Sequence, residues 1–113
     1  MINIEIIPCL KDNYSYIIHD DKHNLVGVID PAEFNPINTF ISKKLKKIDF
    51  ILNTHHHADH VGGNKELKKK YKSKVICSEI DKNRIPAADL GVSEGQNFNF
   101  GNISFNIIFP ASA

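Results

Sequence analysis

The sequence predicts a fold of the α+β or layered α/β class, in which helices cover one face of a β-sheet. Three observations carry this prediction. Runs rich in β-branched and aromatic residues begin the chain. A later stretch repeats apolar residues at helical spacing, a shorter one has a capping residue and an apolar inner position, and further strand-like runs follow each of them. The chain has 113 residues, of which 42% are hydrophobic and 24% charged, a composition typical of one globular domain.

Strands dominate the beginning of the chain. Residues 2–7, 14–19 and 25–29 are separated by turn-forming Asp, Asn and Lys residues, so we expect an antiparallel meander. A helix follows, with Asn35 as its capping residue and Pro36 at its first helical position. We expect the first helix to pack against one face of the sheet that the meander begins.

The first helix extends to about Lys47, and residues 48–53 then have the apolar character of a buried strand that leads directly into the polar segment 54–60. A second helix runs from residue 65 to about residue 71, and Asn64 is its predicted capping residue. The remaining predicted elements are a strand at 75–78, an irregular stretch at 79–95, and a hairpin of 96–100 and 103–109 around the turn Gly101 and Asn102.

Charge and targeting signals exclude several classes of partner. Fourteen Lys and Arg against thirteen Asp and Glu leave a net charge of +1, so no global field draws the chain to nucleic acid or to anionic lipid. We expect the lysines around the second helix to form a solvated face, with nucleic-acid backbone binding as the alternative. Neither a signal peptide nor a membrane span is recognisable, and we expect a cytoplasmic protein with no nucleic acid or membrane partner.

Two cysteines and two isolated histidines are given structural roles. Cys9 and Cys77 lie far apart with no catalytic base beside them, which favours small buried hydrophobic residues in a reducing compartment. His19 and His23 flank a polar turn, and we expect them to be exposed turn residues.

A histidine cluster follows the predicted strand at 48–53. In an extended chain residues two apart point the same way, so His55, His57 and Asp59 can converge on one point while His56 faces the other side as a packing or supporting group. The chain turns after Asp59 and His60, so adjacent side chains can reach two different ions. Neutral imidazoles with a carboxylate suit zinc, and also iron or manganese.

The segment THHHADHVGGN, residues 54–64, resembles the signature of the metallo-β-lactamase superfamily, in the form typical of glyoxalase II, the hydroxyacylglutathione hydrolases. Residues 7–14, 27–31 and 95–101 resemble the same family. The resemblance implies that residues 1–113 form the N-terminal half of an αββα sandwich, a partial domain without its C-terminal half and without the helical substrate-binding domain.

The same resemblance implies a two-metal thioester hydrolase. His55 and His57 would bind the first zinc ion, and Asp59 and His60 the second. A metal-bound hydroxide would cleave S-2-hydroxyacylglutathione, such as S-lactoylglutathione, to glutathione and lactate, a step of methylglyoxal detoxification. The resemblance implies no catalytic group other than that metal-bound hydroxide.

The end of the chain departs from the family pattern. Residues 110–113 lack the histidine that the family places after this strand, and the family's bridging aspartate and last histidine are absent too. We therefore expect weak or partial metal binding and little or no turnover by these residues alone. Two alternatives stay open: another hydrolase of the same fold acting on a persulfide, a lactam or a phosphodiester, and a non-catalytic metal-binding fragment.

Three further residues have open roles. Asp30 either supports a ligand histidine or forms a simple Asp-Pro turn with Pro31. Asn13 and Tyr14 either line the cleft or serve as a turn residue and a core aromatic. The oligomeric state is left open by the sequence.

Overall fold

A computed structural model describes residues 2–9, 13–53, 62–78, 82–83, 85, 88–93, 97–100 and 103–106. The strands are β1 (Ile2–Cys9), β2 (Asn13–Asp20), β3 (Leu25–Ile29), β4 (Phe50–Leu52), β5 (Lys74–Ser78), β6 (Leu90–Val92), β7 (Asn97–Phe100) and β8 (Ile103–Asn106). The helices of this part of the chain are α1 (Phe34–Lys44) and α2 (Asn64–Tyr71), and neither is long and apolar enough to cross a membrane.

Strands β1 to β6 lie side by side in sequence order in one sheet. The first three are antiparallel neighbours, which confirms the predicted meander. From β3 onward each neighbouring pair is parallel, because a helix or loop returns the chain between consecutive strands. Strands β7 and β8 form a separate antiparallel pair, as predicted, and their turn lies outside the described residues.

One face of the sheet packs against both helices and forms the main core. Alternate residues of each strand point to this face, where they meet Ile37 and Ile41 of α1 and Leu67 of α2. All of these side chains are buried, which confirms the prediction of a sheet covered by helices on one face. The buried sheet residues on this side are Cys9, Ile17, Val26, Val28, Ile51, Val75 and Cys77.

The opposite face carries a second, smaller apolar cluster. Phe50 lies over Gly27 of the adjacent strand, and a Cβ at Gly27 would come 2.4 Å from the Phe50 ring, so the absent side chain makes room for the aromatic ring. Towards β1 and β2 this face is open: Ile4 and Ile6 are more than half exposed. The buried members of the cluster are Ile18, Phe50, Leu52, Ile76 and Val92.

The helix α1 begins earlier and ends earlier than predicted. Its N-cap is Glu33, and no side chain caps it, so the prediction of Asn35 as the cap is wrong. At the other end Lys46 adopts a left-handed φ of 64° and donates its N–H to the carbonyl of Ile41 at 2.6 Å. This closing hydrogen bond ends the helix before Lys47, although the apolar spacing continues.

The helix α2 begins at Asn64, with Gly63 at its N-cap and no side-chain capping bond. The prediction of Asn64 as the cap is therefore wrong, because its side chain is directed into the protein and bonds Asn53. The helix ends at Tyr71, close to the predicted end, where Lys72 takes a φ of 57° and its N–H bonds the carbonyl of Lys68 at 2.7 Å.

Two strands differ from the prediction. Strand β4 has three residues rather than the six predicted for 48–53, although Asp49 and Asn53 on either side of it still bond neighbouring strands through their backbone. Strand β6 lies in the stretch 79–95 that was predicted to be irregular. Its Leu-Gly-Val sequence is short and weak in strand propensity, and pairing with β5 creates it.

The amino ends of the parallel strands are tied together by two aspartates. The N–H of Asp49 bonds the carbonyl of Val26 at 2.8 Å, and its carboxylate accepts the N–H of Val26 at 2.7 Å. Asp89 does the same to Val75, at 2.8 Å in both directions. Ser73 adds a hydrogen bond from its hydroxyl to the carbonyl of Ile48 at 2.8 Å. Each aspartate thus aligns a strand with its neighbour where the strand begins.

Candidate metal centre

The predicted ligands follow β4 in the sequence. The carboxyl ends of the parallel strands, where β4 ends, are where ligands commonly bind in an open α/β sheet. His55, His57, Asp59 and His60, with His56, lie outside the described residues. Within the described part of the chain, no group of three or more His, Cys, Asp or Glu side chains is placed to hold a metal ion. The centre is therefore characterised by the residues that flank the segment.

The chain leaves β4 through Leu52 and Asn53, and backbone hydrogen bonds hold both. The carbonyl of Leu52 accepts the N–H of Asp30 at 2.9 Å, and the N–H of Asn53 bonds the carbonyl of Ile76 at 2.9 Å. Asn53 is buried. The point from which the histidine segment departs is thus fixed to strands on both sides of β4.

Asp30 follows β3 at the same edge of the sheet. It has a φ of 51°, a left-handed value that is unusual outside glycine and that the surrounding structure must enforce. Its carbonyl accepts the hydroxyl of Ser15 at 2.6 Å, and the same oxygen of Ser15 accepts the N–H of Ala32 at 3.3 Å. Since that hydroxyl has one proton, the contact with Cys9 at 3.3 Å is a thiol donating to Ser15. The turn at Asp30 is therefore held from β1 and β2.

The chain re-enters the described structure beside the same turn. The N–H of Gly63 bonds the carbonyl of Pro31 at 2.8 Å. A Cβ at Gly63 would lie 3.1 Å from that carbonyl oxygen and equally close to the backbone of Glu33. The glycine permits this close approach, so both flanks of the histidine segment meet the turn that follows β3.

Asn53 and Asn64 join the two flanks directly. The side-chain amide of Asn53 donates to the amide oxygen of Asn64 at 3.2 Å, and that of Asn64 donates back at 2.6 Å. Both residues are essentially inaccessible to solvent, at 1% and 0% exposure. The sequence did not predict this pair. The available signal was an asparagine immediately before the motif of residues 54–64 and another as its last residue.

The other residues singled out by the sequence have mixed outcomes. Tyr14 lies at the beginning of β2, near the turn at Asp30, but its side chain is 57% exposed, so the core-aromatic interpretation is wrong. The side chain of Asn13 lies outside the described residues. Cys9 and Cys77 are buried free thiols, which confirms their interpretation as small core residues.

The two isolated histidines lie near the opposite edge of the sheet. His19 belongs to β2 rather than to a turn, which corrects its prediction, because its backbone pairs with Asn3 and Val26. His23 is a turn residue, and its Nδ1 lies 2.9 Å from Asp20. Burial raises the pKa of Asp20, but hydrogen bonds from His23 and from the N–H of Lys22 outweigh it and hold that pKa below its usual value.

A groove of about 580 Å³ runs beside α2 toward the amino end of β5. Its lysines are mostly exposed, as predicted for a solvated face, and Lys68 pairs with Asp89 at 2.7 Å. This groove lies at the amino ends of the strands, away from the carboxyl ends where the predicted metal ligands follow β4 in the sequence. The groove is lined by Lys65, Lys68, Lys69, Lys72, Ser73, Lys74 and Asp89.

Two features define the class of protein: a mixed sheet with helices on one face, and a histidine motif that follows β4 in the sequence. Residues 11–109 match the Metallo-beta-lactamase superfamily, and the chain belongs to that superfamily. The resemblance inferred from the motif is confirmed.

Within the superfamily, the curated relatives with high similarity are named hydroxyacylglutathione hydrolase. The relative from Pelagibacter ubique is 52% identical over 93 residues, which are 82% of this chain and 39% of that protein. The relative from Ruegeria pomeroyi is 38% identical over 107 residues, 95% of this chain and 42% of that protein. The chain thus spans about two-fifths of the length of these relatives.

Solved structures support the fold. The BLEG-1 B3 metallo-beta-lactamase superposes with a TM-score of 0.80 at 17% identity, over 92% of this chain and 59% of that one. The subclass B3 metallo-beta-lactamase BJP-1 of Bradyrhizobium japonicum gives 0.70 at 27% identity, over 88% and 44%. These similarities confirm a layered α+β fold that corresponds to part of a metallo-β-lactamase domain.

Proposed function

We propose that this chain is the metal-binding N-terminal part of a hydroxyacylglutathione hydrolase, which cleaves the thioester of S-2-hydroxyacylglutathione. S-lactoylglutathione is the substrate we favour, with glutathione and lactate as products. The observation that carries the proposal is the 52% identity to the Pelagibacter ubique protein of that name, together with the intact motif of residues 54–64. The setting we propose is methylglyoxal detoxification in the cytoplasm, with a small-molecule partner and neither nucleic acid nor membrane.

The donor set fits a pair of divalent ions by its chemistry. His55 and His57 would hold one ion, and Asp59 and His60 the other. Three neutral imidazoles and one carboxylate suit zinc, with iron or manganese as alternatives. When bound, such ions supply a nucleophilic hydroxide at neutral pH and polarise the thioester carbonyl.

The described residues hold and orient the segment that carries these donors. The turn at Asp30 is fixed by Ser15 on one side and by the carbonyl of Leu52 on the other. We assign the carboxylate of Asp30, a residue that is buried with 7% exposure, to orienting a ligand histidine. The exposed ring of Tyr14 at the same edge is assigned to contact with the substrate.

The test replaces the aligned N-terminal part of the Pelagibacter ubique enzyme with the corresponding residues of this chain. We expect this chimaera to bind zinc and to hydrolyse S-lactoylglutathione, because the relative supplies the rest of the structure. His57→Ala should abolish most of the bound zinc and the hydrolysis. The matched control is His23→Ala, which removes a histidine from a turn near the opposite edge and should change neither.

The 113-residue chain alone forms the second arm of the experiment. We expect weak metal binding by titration and little turnover of the thioester. A chimaera that binds zinc but hydrolyses only a lactam or a phosphodiester would transfer the proposal to another substrate class. A chimaera that binds zinc but hydrolyses none of these substrates would favour the non-catalytic metal-binding fragment, and one that binds no metal would refute the proposal.

A further inference from the structure

The pair formed by Asn53 and Asn64 has a function beyond packing. We propose that its two reciprocal hydrogen bonds act as a positioning clasp, which holds together the ends of the segment 54–63 and so sets the relative placement of the metal-binding side chains within it. This inference rests on the proposed function in one respect, the identity of those side chains as metal ligands. The two hydrogen bonds of the clasp are observed between residues that the structure describes.

The two amides bond each other reciprocally. Each amide donates one N–H and accepts one, with N···O distances of 3.2 and 2.6 Å. Two amides can bond each other reciprocally in this way without introducing charge, whereas a carboxylate at either position would lose one of the two hydrogen bonds. Because both residues are buried, water cannot replace a lost partner easily, and the two amides are therefore strongly directed toward each other.

The residues joined are eleven positions apart in the sequence, so the clasp closes a loop at its base. Closing a loop removes much of the conformational freedom of the chain within it. The donors of a metal site must be held within a few tenths of an ångström of their working positions, and support from outside the ligand set supplies that precision. The clasp joins the two ends of the segment that carries the predicted ligands, so it can supply such support.

Backbone contacts make the closure more than a single link. Leu52, beside Asn53, bonds the N–H of Asp30, and Gly63, beside Asn64, bonds the carbonyl of Pro31. Each flank is thereby attached to the same turn after β3, and the amide pair joins the flanks to each other. The result is a closed frame of backbone and side-chain bonds around the base of the loop.

The experiment compares the parent chain with Asn53→Ala, Asn64→Ala and the double variant. The matched control is Ser73→Ala, which also removes a buried polar group but at the amino ends of the strands. All are studied at a temperature where each is folded by circular dichroism. Two readouts are used: cobalt(II) affinity from its visible absorption, and hydrogen exchange of the backbone amides of residues 54–63 without metal.

We expect either single substitution to weaken cobalt affinity about tenfold, the lower bound for loss of a group that supports ligands. The double variant should be no weaker than the single ones, since either substitution opens the same clasp. Exchange at 54–63 should accelerate in all three variants and remain unchanged in Ser73→Ala.

Unchanged exchange in the asparagine variants, or an equal acceleration in Ser73→Ala, would overturn the clasp whatever the metal result. If exchange accelerates as expected but the parent binds no cobalt, the clasp stands and the proposed metal function of the chain fails. If the parent binds cobalt and the asparagine variants bind it equally well, the positioning role is refuted while the proposed function stands.

Discussion

At the amino ends of the parallel strands, Asp49 and Asp89 each bond a neighbouring strand through both backbone and carboxylate. At the carboxyl ends, the same task of joining neighbouring segments falls to the amides of Asn53 and Asn64 and to the hydroxyl of Ser15. The first set is charged and about one-third exposed, whereas the second is uncharged and buried.

The difference follows from the cost of burying charge. A carboxylate that keeps water on one side loses little hydration, so an aspartate is suitable at an exposed edge. At a buried edge an amide or a hydroxyl makes the same hydrogen bonds without a charge to desolvate. The side-chain bonds of Asn53, Asn64 and Ser15 thus add no formal charge beside the segment that carries the predicted ligands.

The largest expected effect is on Asn64→Ala, which removes both bonds of the amide pair at a fully buried position. We expect a loss of about 2–4 kcal/mol in the free energy of unfolding, measured by urea denaturation. Asp89→Ala, at the exposed edge, should cost no more than about half of this. Equal losses at the two edges would contradict the distinction between buried and exposed ties.

Ser15→Ala and Ser73→Ala sharpen the comparison, because the two residues are the same type and equally buried. Ser15 bonds the backbone of both Asp30 and Ala32, whereas Ser73 donates to the carbonyl of Ile48. We expect losses of about 2 and about 1 kcal/mol respectively. Exposed Ser42→Ala serves as the control near zero. A larger loss for Ser73→Ala would break the ranking.

Asp89→Asn separates charge from shape at the amino ends. The hydrogen bond from Lys68, followed by that from the N–H of Val75, lowers the pKa of Asp89 below its ordinary value of 3.8. A lowered pKa in the folded state contributes stability above the ordinary value, and this contribution is lost as the pH falls through the lowered value.

The parent should therefore be more stable than Asp89→Asn by about 0.5–1 kcal/mol at pH 7. The difference should shrink as the pH falls below 3.8, the ordinary pKa of the carboxyl. Urea denaturation at a series of pH values measures this. A difference that is constant with pH would show that the carboxylate acts through shape alone.

The smallest effect is expected for Lys68→Met, which removes the ammonium group that lies 2.7 Å from Asp89. Both side chains are about one-third exposed, so the ion pair is worth about 0.2–1 kcal/mol and is screened by salt. Thermal unfolding should show the difference from the parent at low ionic strength and not in 1 M salt. Lys69→Met, on the same helix, is the control.

The sequence predicted the elements whose residues repeat in a regular pattern. The meander follows from alternating β-branched residues, and the burial of Ile37, Ile41 and Leu67 follows from helical spacing. The helix ends were less predictable. Asn35 and Asn64 are good capping residues by type. However, α1 begins before Asn35, and the side chain of Asn64 bonds Asn53 instead of capping α2. Strand β6 forms because it pairs with β5, and no local sequence pattern predicts it.

The site divides in the same way. His55, His57, Asp59 and His60 could be proposed as ligands because their spacing and chemistry are local properties of the sequence. The frame around them could not, because the amide pair requires the chain to fold back on itself over eleven positions. Likewise the left-handed turn at Asp30 depends on Ser15, which comes from a different strand. Supporting contacts between distant residues are visible only in three dimensions.

The two free thiols offer a way to time the opening of the sheet. Cys9 and Cys77 are at most 1% exposed and lie in β1 and β5, which have three strands between them. The chain has no tryptophan, so fluorescence gives little information, but a thiol reagent reacts only when a strand detaches. Labelling of Cys9 therefore reports on the meander, and labelling of Cys77 reports on the parallel strands. Equal rates at the two thiols would mean that the sheet opens as one cooperative unit.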